Sequence, residues 1–188
     1  MIESIQRRLA ARQGEDKQSG FTLIELMVVV MIIAILVGIA IPAFLGARKR
    51  AQDTAVKSNL RNALSTAQTI FTDNQAYLPA ADVVGPPAVK GMVSTLADEE
   101  PSLTFQDGTT KSTTAKMISL NTAANTGVAT DPLDQIILAS WSASGKCYYY
   151  RHVATAGVTG KSGTYWNTTG TGTDCQAGNA PATGWQAL

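Results

Sequence analysis

The stretch "SGFTLIELMVVVMIIAILVG" (Ser19–Gly38) combines a long apolar segment with a single carboxylate. From Leu26 to Leu45 the chain has 20 residues without a charge, which is about the length that crosses the hydrocarbon core of a bilayer. Glu25 directly precedes this run. A charge inside a membrane-spanning helix costs about 2.5–3.5 kcal/mol even on lenient insertion scales. An anchoring function alone therefore leaves Glu25 unexplained.

The residues that flank the apolar segment do not fix its orientation. Met1–Gly20 is polar and carries basic side chains, and Arg48, Lys49 and Arg50 follow the segment. Because basic residues stand on both sides, the positive-inside rule does not decide which end is cytoplasmic. The apolar run is also longer than the roughly 7–15 residues of a secretory signal peptide. These residues by themselves predict a single-span membrane protein with a cytoplasmic tail.

The motif "GFTLIEL" (Gly20–Leu26), followed by about 20 apolar residues, closely resembles the start of a type IV prepilin. The resemblance is to the type IVa-like kind, which has a class III signal peptide. Gly20 stands where the dedicated peptidase of that family cuts, and Phe21 stands where the new N-terminus is then methylated. Glu25 stands where those proteins keep their one buried carboxylate. The resemblance implies a leader, residues 1–20, that is removed after Gly20.

The same resemblance gives Glu25 a purpose. Cleavage creates an ammonium on Phe21, and the resemblance implies that this ammonium pairs with Glu25 of a neighbouring subunit in a growing filament. Both charges are costly in an apolar core unless they meet, so the pair penalises a wrong register more than it adds net stability. The plainer alternative is a carboxylate that reaches the lipid headgroups from the end of the helix.

The resemblance extends to about Tyr77 and covers under a third of the chain. Pro42 stands where the family usually has a helix-kinking proline, and a kink or melted turn is expected at Gly38–Pro42. An ordinary kinked transmembrane helix explains Gly38 and Pro42 equally well.

One long helix is expected from Phe21 to about Ala76. Residues 21–45 would form the hydrophobic transmembrane or filament-core part, and residues 46–78 would continue it as an amphipathic helix. The apolar positions that define the second part recur at spacings of three, four or five: Phe44, Ala47, Ala51, Ala55, Leu60, Ala63, Leu64, Ala67, Ile70 and Phe71. Pro79 disfavours helix at Leu78 and ends the segment.

Residues 79–188 predict a globular β domain that begins with a Pro/Gly linker, Asp82–Gly91. Strands are predicted near Leu103–Gln106, Lys116–Leu120, Gln135–Trp141 and Lys146–Ala154, and the last two are joined by a four-residue connection, Ser142–Gly145. The predicted fold class is therefore α+β, with the long N-terminal helix packed on a C-terminal antiparallel sheet. Its helix-facing side would include some of Ile136, Leu138, Tyr148 and Tyr150.

Cys147 and Cys175 both lie in this second half. In a cytosolic protein they would be unpaired thiols, whereas beyond a membrane anchor a disulfide is favoured. A Cys147–Cys175 bond would tie the Gly-, Thr- and Ser-rich tail from Thr155 to Leu188 to the sheet, and this arrangement is similar to the disulfide-bounded C-terminal loop of many pilins.

No residue pattern predicts catalysis, a cofactor or a metal. His152 is the single histidine of the chain, and a lone histidine is more often structural than catalytic. Asp131 and Asp134 could contribute to a calcium site, but two carboxylates at that spacing are more often part of a turn. The triplet Asn167–Thr169 fits a glycosylation pattern that also occurs by chance. The aromatic and basic run Cys147–Arg151 fits ligand stacking and an ordinary core strand equally well.

The resemblance thus implies a structural subunit of a type IV pilus rather than an enzyme. Its expected partners are identical subunits in a helical homopolymer, a prepilin peptidase and N-methyltransferase, the pilus assembly platform with its ATPase, and the membrane before assembly. The expected location is the cytoplasmic membrane, as a single-pass protein, and then an extracellular filament that serves adhesion, twitching motility or DNA uptake. The alternatives are a type II secretion pseudopilin and a single-span, membrane-anchored surface binding protein.

Overall fold

The computed structural model describes residues 20–124, 132–155, 161–169 and 174–188. Residues 1–19 of the predicted leader lie outside the described residues, as do Asp131 and parts of the predicted irregular tail. The chain divides into two compact units, one that ends at Leu45 and one from Gly46 to Leu188.

The longest helix, α1, spans Leu23–Asn74. Up to Leu45 every side chain of α1 is exposed, including those of the valines and isoleucines that fill this part. β-branched residues are only moderate helix formers in water. In a lipid or filament interior, however, each backbone polar group must be bonded within the chain, and a helix achieves this. The sequence of this segment is therefore suited to an apolar surrounding.

In the second unit α1 buries one stripe of side chains at spacings of three and four residues. The stripe consists of Val56, Leu60, Ala63, Leu64, Ala67 and Ile70. The predicted stripe began earlier and was wrong for Phe44, Ala47, Ala51 and Ala55, which are exposed. The physical reason is that the buried stripe of α1, which packs against the sheet in the main core, begins only at Val56.

Helix α1 ends at Asn74, two residues before the predicted end, because Gln75 adopts a left-handed conformation with φ of 56°. A residue in this conformation is a common helix terminator. The side-chain amides of Asn74 and Gln75 donate to the carbonyls of Ile70 and Thr72 at 2.9 and 2.8 Å. These bonds satisfy carbonyls that the end of a helix leaves without partners.

A second helix, α2 (Met92–Glu99), follows the linker and was not predicted. The Asp82 carboxylate accepts hydrogen bonds from the Gly91 N–H at 2.6 Å and from the Ser94 hydroxyl at 2.5 Å. A Cβ atom at Gly91 would lie 2.4 Å from the backbone carbon of Ala81, so this close approach requires glycine. Helix α2 buries Met92 and Leu96 in the main core.

The sheet has six strands in the order of the chain, β1 to β6. The strands are β1 (Thr104–Asp107), β2 (Met117–Ala123), β3 (Gln135–Trp141), β4 (Cys147–Val153), β5 (Gly163–Thr169) and β6 (Gln186–Ala187). Strands β1 and β2 are parallel, and the other neighbours are antiparallel. The sheet is therefore mostly antiparallel, as predicted. Its one parallel pair, β1 with β2, was not predicted.

The first four strands lie where the sequence predicted them, within a few residues at each end. The connection between β3 and β4 has five residues, 142–146, rather than four, and the Ser142 N–H closes it by donating to the Lys146 carbonyl at 2.8 Å. Strands β5 and β6 fall in a region predicted to be irregular, and that prediction was wrong for these residues. Five of the seven residues of β5 are Thr, Tyr or Trp, which favour strands, so its composition was a strand signal that the prediction missed.

The sheet buries both of its faces. The face toward α1 carries Ile118, Leu120, Ile136, Leu138, Tyr148 and Tyr150, which join the buried stripe of α1 in one core. The predicted helix-facing residues are thus confirmed. On the other face Ala139, Cys147 and Tyr149 form a smaller core with Cys175 and Ala177 of the tail.

Cys147 and Cys175 form a disulfide with their Cα atoms 5.5 Å apart, as predicted. The bond fixes the tail against β4, and the Ser112 N–H donates to the Cys175 carbonyl at 2.8 Å. A short 3-10 helix, Ala177–Asn179, follows, and its Ala177 N–H bonds to the Ser119 hydroxyl at 3.0 Å. The tail is therefore held to the sheet by covalent and hydrogen bonds.

Candidate processing and assembly site

The junction between Gly20 and Phe21 lies in an open position before the first turn of α1. The Phe21 side chain is 90% exposed, and no atom lies within 4 Å of the point where a Cβ atom of Gly20 would stand. Neither residue belongs to the helix, which begins at Leu23. A peptide bond in this position is accessible to a protease.

Thr22 and Glu25 bond to each other reciprocally at the start of α1. The backbone N–H and the hydroxyl of Thr22 donate to Oε2 of Glu25 at 2.8 and 2.7 Å, and the Glu25 N–H lies 3.3 Å from the Thr22 hydroxyl oxygen. This is a capping box, in which an N-cap Thr and a Glu three residues later satisfy each other's backbone donors. Thr22 was not predicted as a partner of Glu25, although the Thr-x-x-Glu spacing is typical of a capping box.

The Glu25 carboxylate has no cationic partner among the described residues, where Lys90 and Asp98 form the one ion pair. Both recorded bonds to the carboxylate use Oε2, so Oε1 keeps its capacity to accept. The capping box therefore fixes the side chain while it leaves one oxygen for another donor. A negative charge at a helix N-terminus is also favoured by the helix dipole.

The apolar part of α1 is the largest exposed hydrophobic surface in the described part of the chain. By length and composition α1 is the one helix there that could cross a membrane. Gly38 and Pro42 both lie within this part of α1, which continues through Pro42. A kink at these residues stays a prediction. Such a surface requires a cover, either lipid or other apolar helices.

His152 has a structural environment. The neutral imidazole accepts a hydrogen bond at Nδ1 from the Tyr77 hydroxyl at 2.6 Å, and burial lowers the pKa of His152. Burial and the nearby charge of Asp134 together raise the pKa of Tyr77, so its hydroxyl keeps its proton and acts as the donor. The pair links the segment after α1 to strand β4.

The other residues considered from sequence are engaged in the fold or lie outside the described residues. Asp134 accepts from the Ala154 N–H through its backbone carbonyl at 2.8 Å, while Asp131 is not among the described residues. The described residues contain no group of three or more His, Cys, Asp or Glu side chains that could hold a metal ion. The Asn167 amide donates to the Thr183 carbonyl at 2.9 Å.

The aromatic run of β4 is explained by strand alternation. Tyr148 and Tyr150 enter the core under α1, while Tyr149 enters the smaller core beside the disulfide. Arg151 lies on the same side as Tyr149, with its guanidinium carbon 5.1 Å from the Tyr165 ring centre and 4.5 Å from that of Trp185. These aromatic residues are thus mainly core residues.

An exposed apolar helix that opens with a capped, unpaired carboxylate defines a class of protein that is held in lipid or packed against other apolar helices. Residues 16–41 match a family model that is described as "Prokaryotic N-terminal methylation motif". This match includes Gly20, Phe21 and Glu25.

Three relatives carry names that agree with this class. The chain is 50% identical over 58 residues to the "Type IV wide pilus major component PilA4" of Thermus thermophilus. The matched stretch covers 31% of this chain and 44% of the relative. It is 39% identical over 69 residues to the "Type IV major pilin protein PilA" of Myxococcus xanthus, covering 37% and 31% of the two chains. It is 38% identical over 61 residues to the "Type II secretion system core protein G" of Pseudomonas aeruginosa, covering 32% and 43%.

The N-terminal part of the chain thus carries the N-terminal methylation motif and is similar to the same part of type IV pilins. The matches span less than half the length of each relative. No solved structure matches the chain at a significant level.

Proposed function

We propose that this protein is a structural, non-enzymatic subunit of a type IV pilus. A prepilin peptidase cuts the precursor after Gly20 and the new N-terminus of Phe21 is methylated. The mature subunits then polymerise through their N-terminal helices into a helical homopolymer on the cell surface. Adhesion, motility and DNA uptake are the tasks that such a filament serves.

One observation supports this proposal above the others: the exposed apolar part of α1 begins with the unpaired carboxylate of Glu25. A helix that had only to remain in lipid would be more stable there with an apolar residue. A carboxylate four residues after a newly created ammonium has a use when many copies of the helix pack together, because each buried charge then finds an opposite charge.

In this proposal the chain has four parts with different tasks. Residues 1–20 are the leader, residues 21–45 hold the precursor in the cytoplasmic membrane and later form the filament core, and residues 46–78 continue the helix into the globular part. Residues 79–188 form the β domain with its disulfide-bounded loop. The machinery that acts on these parts is the peptidase and N-methyltransferase, the assembly platform and its ATPase.

The processing step has a direct test. The full chain is expressed in a host with and without a prepilin peptidase, and the mature N-terminus is determined by mass spectrometry. We expect a mature chain that starts at Phe21 and carries a methyl group when the peptidase is present, and an uncut precursor without it. Gly20→Leu should leave the precursor uncut, because the added side chain occupies the position at which the peptidase cuts.

A matched control is Gly85→Ala, since a Cβ atom at Gly85 also meets no atom within 4 Å. This variant should be processed as the parent chain is. A mature N-terminus other than Phe21, or unchanged cleavage of Gly20→Leu, would contradict the proposal.

A type II secretion pseudopilin is the second candidate, and the similarity to a secretion core protein supports it. Deletion of the gene distinguishes the two functions. Loss of long surface filaments indicates a pilus subunit, whereas loss of protein secretion with surface filaments intact indicates a pseudopilin. The processing experiment does not distinguish them, because both kinds of subunit pass through a prepilin peptidase.

A further inference from the structure

Beside the core that covers α1, the second unit contains a pocket of about 320 Å³. Its lining consists of Lys57, Arg61, Tyr150, Trp166, Ala187 and Leu188. We call it the Lys57 pocket. Its volume lies at the lower end of the range of roughly 300–1,000 Å³ that small-ligand sites occupy.

Two cationic side chains, Lys57 and Arg61, line this pocket beside Leu188, whose α-carboxylate forms no ion pair with either of them. Lys57 and Arg61 are four residues apart on α1, so they share one face of the helix. Two like charges at this spacing destabilise a helix. Neither residue forms an ion pair within the described part of the chain. The arrangement is unfavourable for the helix alone and favourable for an anion that would lie between the two cations.

Aromatic rings hold the lysine in position. The Lys57 ammonium lies 5.1 Å from the ring centre of Tyr148 and 5.5 Å from that of Trp166. Cations at such distances are attracted to the ring faces. The ammonium is therefore partly ordered before any ligand arrives, and this lowers the entropic cost of binding.

The pocket is too large and too aromatic for a bare inorganic anion. Since a water molecule occupies roughly 30 Å³, a single phosphate would leave much of the volume unfilled. Trp166, which is half-buried, adds apolar ring surface to the wall of the pocket. A sugar ring offers both C–H surface and hydroxyl groups to such a wall.

A nucleic acid strand fits the pocket less well. Such strands bind along extended basic grooves with several stacking rings. Here a single pocket has two cations. Of the chain's 15 basic and 14 acidic side chains, four basic and three acidic ones precede Phe21, so the remainder carries 11 of each and no positive excess. The observations thus favour a small acidic ligand over a polyanion.

We propose that the Lys57 pocket binds an acidic monosaccharide unit, with its carboxylate or phosphate between Lys57 and Arg61 and its ring beside Trp166. This activity goes beyond the role of a filament subunit and needs no assembly. It would allow the globular unit to recognise acidic carbohydrate, either as a free sugar or as a residue of a surface polysaccharide.

Calorimetric titration of the purified full chain in detergent micelles, at low ionic strength, tests the proposal. The probes are glucuronate and glucose 6-phosphate, with uncharged glucose and inorganic phosphate as comparisons. We expect saturable binding of at least one acidic sugar. Glucose should bind at least about tenfold more weakly, because it lacks the charged group, and a hydrogen bond to a charged group is typically worth that factor. Phosphate should also bind more weakly, because it has no ring to lie beside Trp166. Polygalacturonate as a further probe distinguishes a polymer-bound residue from a free sugar.

Arg61→Gln is the most informative variant because Arg61 is exposed and the substitution removes one of the two charges of the pocket. It should weaken binding of the acidic sugar by about tenfold. Arg50→Gln removes an exposed charge of the same helix outside the pocket and should leave binding unchanged. Trp166→Phe should retain part of the affinity, because it keeps an aromatic ring.

Three results would overturn the proposal: no saturable binding of either acidic sugar, binding of inorganic phosphate as tight as that of the sugars, or equal binding by the parent chain and Arg61→Gln. Because the titration uses unassembled protein, a failure here leaves the pilus function untouched. Equally, a chain that never forms filaments can still pass this test.

Discussion

The Thr22 hydroxyl and backbone N–H both donate to one oxygen of Glu25, at 2.7 and 2.8 Å, which leaves the second carboxylate oxygen to accept another donor. The two roles of Glu25, as a helix cap and as a partner for an ammonium, are thus compatible in one side-chain position. The capping box explains a carboxylate at this residue within one chain, because the carboxylate stabilises the start of the helix. The pairing with Phe21 concerns the filament.

The first prediction separates the capping role from the pairing role. Thr22→Ala removes the side-chain cap and should cost about 1 kcal/mol of stability at the start of α1. Amide hydrogen exchange in micelles should then be faster over the first turn of the helix. Thr54→Ala is the control, since the exposed Thr54 hydroxyl bonds to the Arg50 carbonyl within the helix and caps nothing. Equal exchange in Thr22→Ala and the parent chain would show that the cap is unimportant.

A second prediction concerns the contact between α1 and the hairpin of β3 and β4. The Asp53 carboxylate accepts from the Ser142 hydroxyl at 2.6 Å and from the Ser144 hydroxyl. Burial acts to raise the pKa of Asp53, but bonds from Ser142, Ser144 and Tyr148 lower it more, so its net pKa lies below the ordinary value.

Asp53→Ala should therefore lower the free energy of unfolding of the globular unit by about 1–3 kcal/mol, because buried hydroxyls lose their charged acceptor. Asp73→Ala, at an exposed residue of the same helix, should change it by less than about 0.5 kcal/mol. Denaturant unfolding of the two variants measures the difference. An Asp53→Ala variant as stable as Asp73→Ala would contradict this account of the contact.

A third prediction gives the pH dependence. Burial lowers the pKa of His152, so the unfolded chain binds a proton at a higher pH than the folded one. Stability is then fully present above the unfolded pKa of about 6.5 and decreases as the pH falls below it. The decrease can reach about 1.4 kcal/mol per pH unit.

Denaturant unfolding of the parent chain and His152→Gln between about pH 7.5 and 5 tests this. The groups that face His152 are Tyr77, which keeps its proton over this range, and Asp134, whose charge acts on Tyr77. The parent chain should lose stability over the range, and His152→Gln should lose much less. Parallel pH profiles would show that another group is responsible.

A fourth prediction concerns the disulfide, which closes a loop of 28 residues. The chain-entropy treatment gives a stabilisation of roughly 3–4 kcal/mol for a loop of this length. The double substitution Cys147→Ala and Cys175→Ala should lower the free energy of unfolding by about this amount and expose the smaller core that contains Tyr149. In limited proteolysis the tail should then be cut earlier in time than the strands of the sheet. A variant with unchanged stability and an uncut tail would exclude this role.

The parts of the fold that the sequence predicted depend on local patterns. Strand β3 was predicted with its correct bounds, because Gln135–Trp141 is a short, mostly apolar run rich in isoleucine. Helix α1 has a long apolar run and a later stripe, so its type was unambiguous. The spacing of Thr22 and Glu25 also indicates a helix cap. This cap was not predicted, because Glu25 was interpreted only as a charge partner.

The parts of the fold that the sequence did not predict depend on contacts between distant residues. The parallel pairing of Thr104 with Met117 follows from tertiary packing and leaves no mark on either strand. Strand β5 pairs with β4 on one side and with β6 on the other, and its sequence does not specify these partners. The Lys57 pocket joins residues of α1 to Trp166 far along the chain, and no local motif connects them.

The yield of sheared surface filaments from Glu25→Ala, compared with the parent chain and Glu25→Asp in a strain with the complete assembly machinery, tests the central claim most directly. Glu25→Ala should still enter the membrane, because the substitution makes the span more apolar. It should also still be cut, since processing depends chiefly on Gly20. We predict processed subunit in the membrane with few or no filaments, because an unpaired buried ammonium costs several kcal/mol, and more filaments from Glu25→Asp than from Glu25→Ala. A normal filament yield from Glu25→Ala would contradict the claim that Glu25 sets the register of assembly.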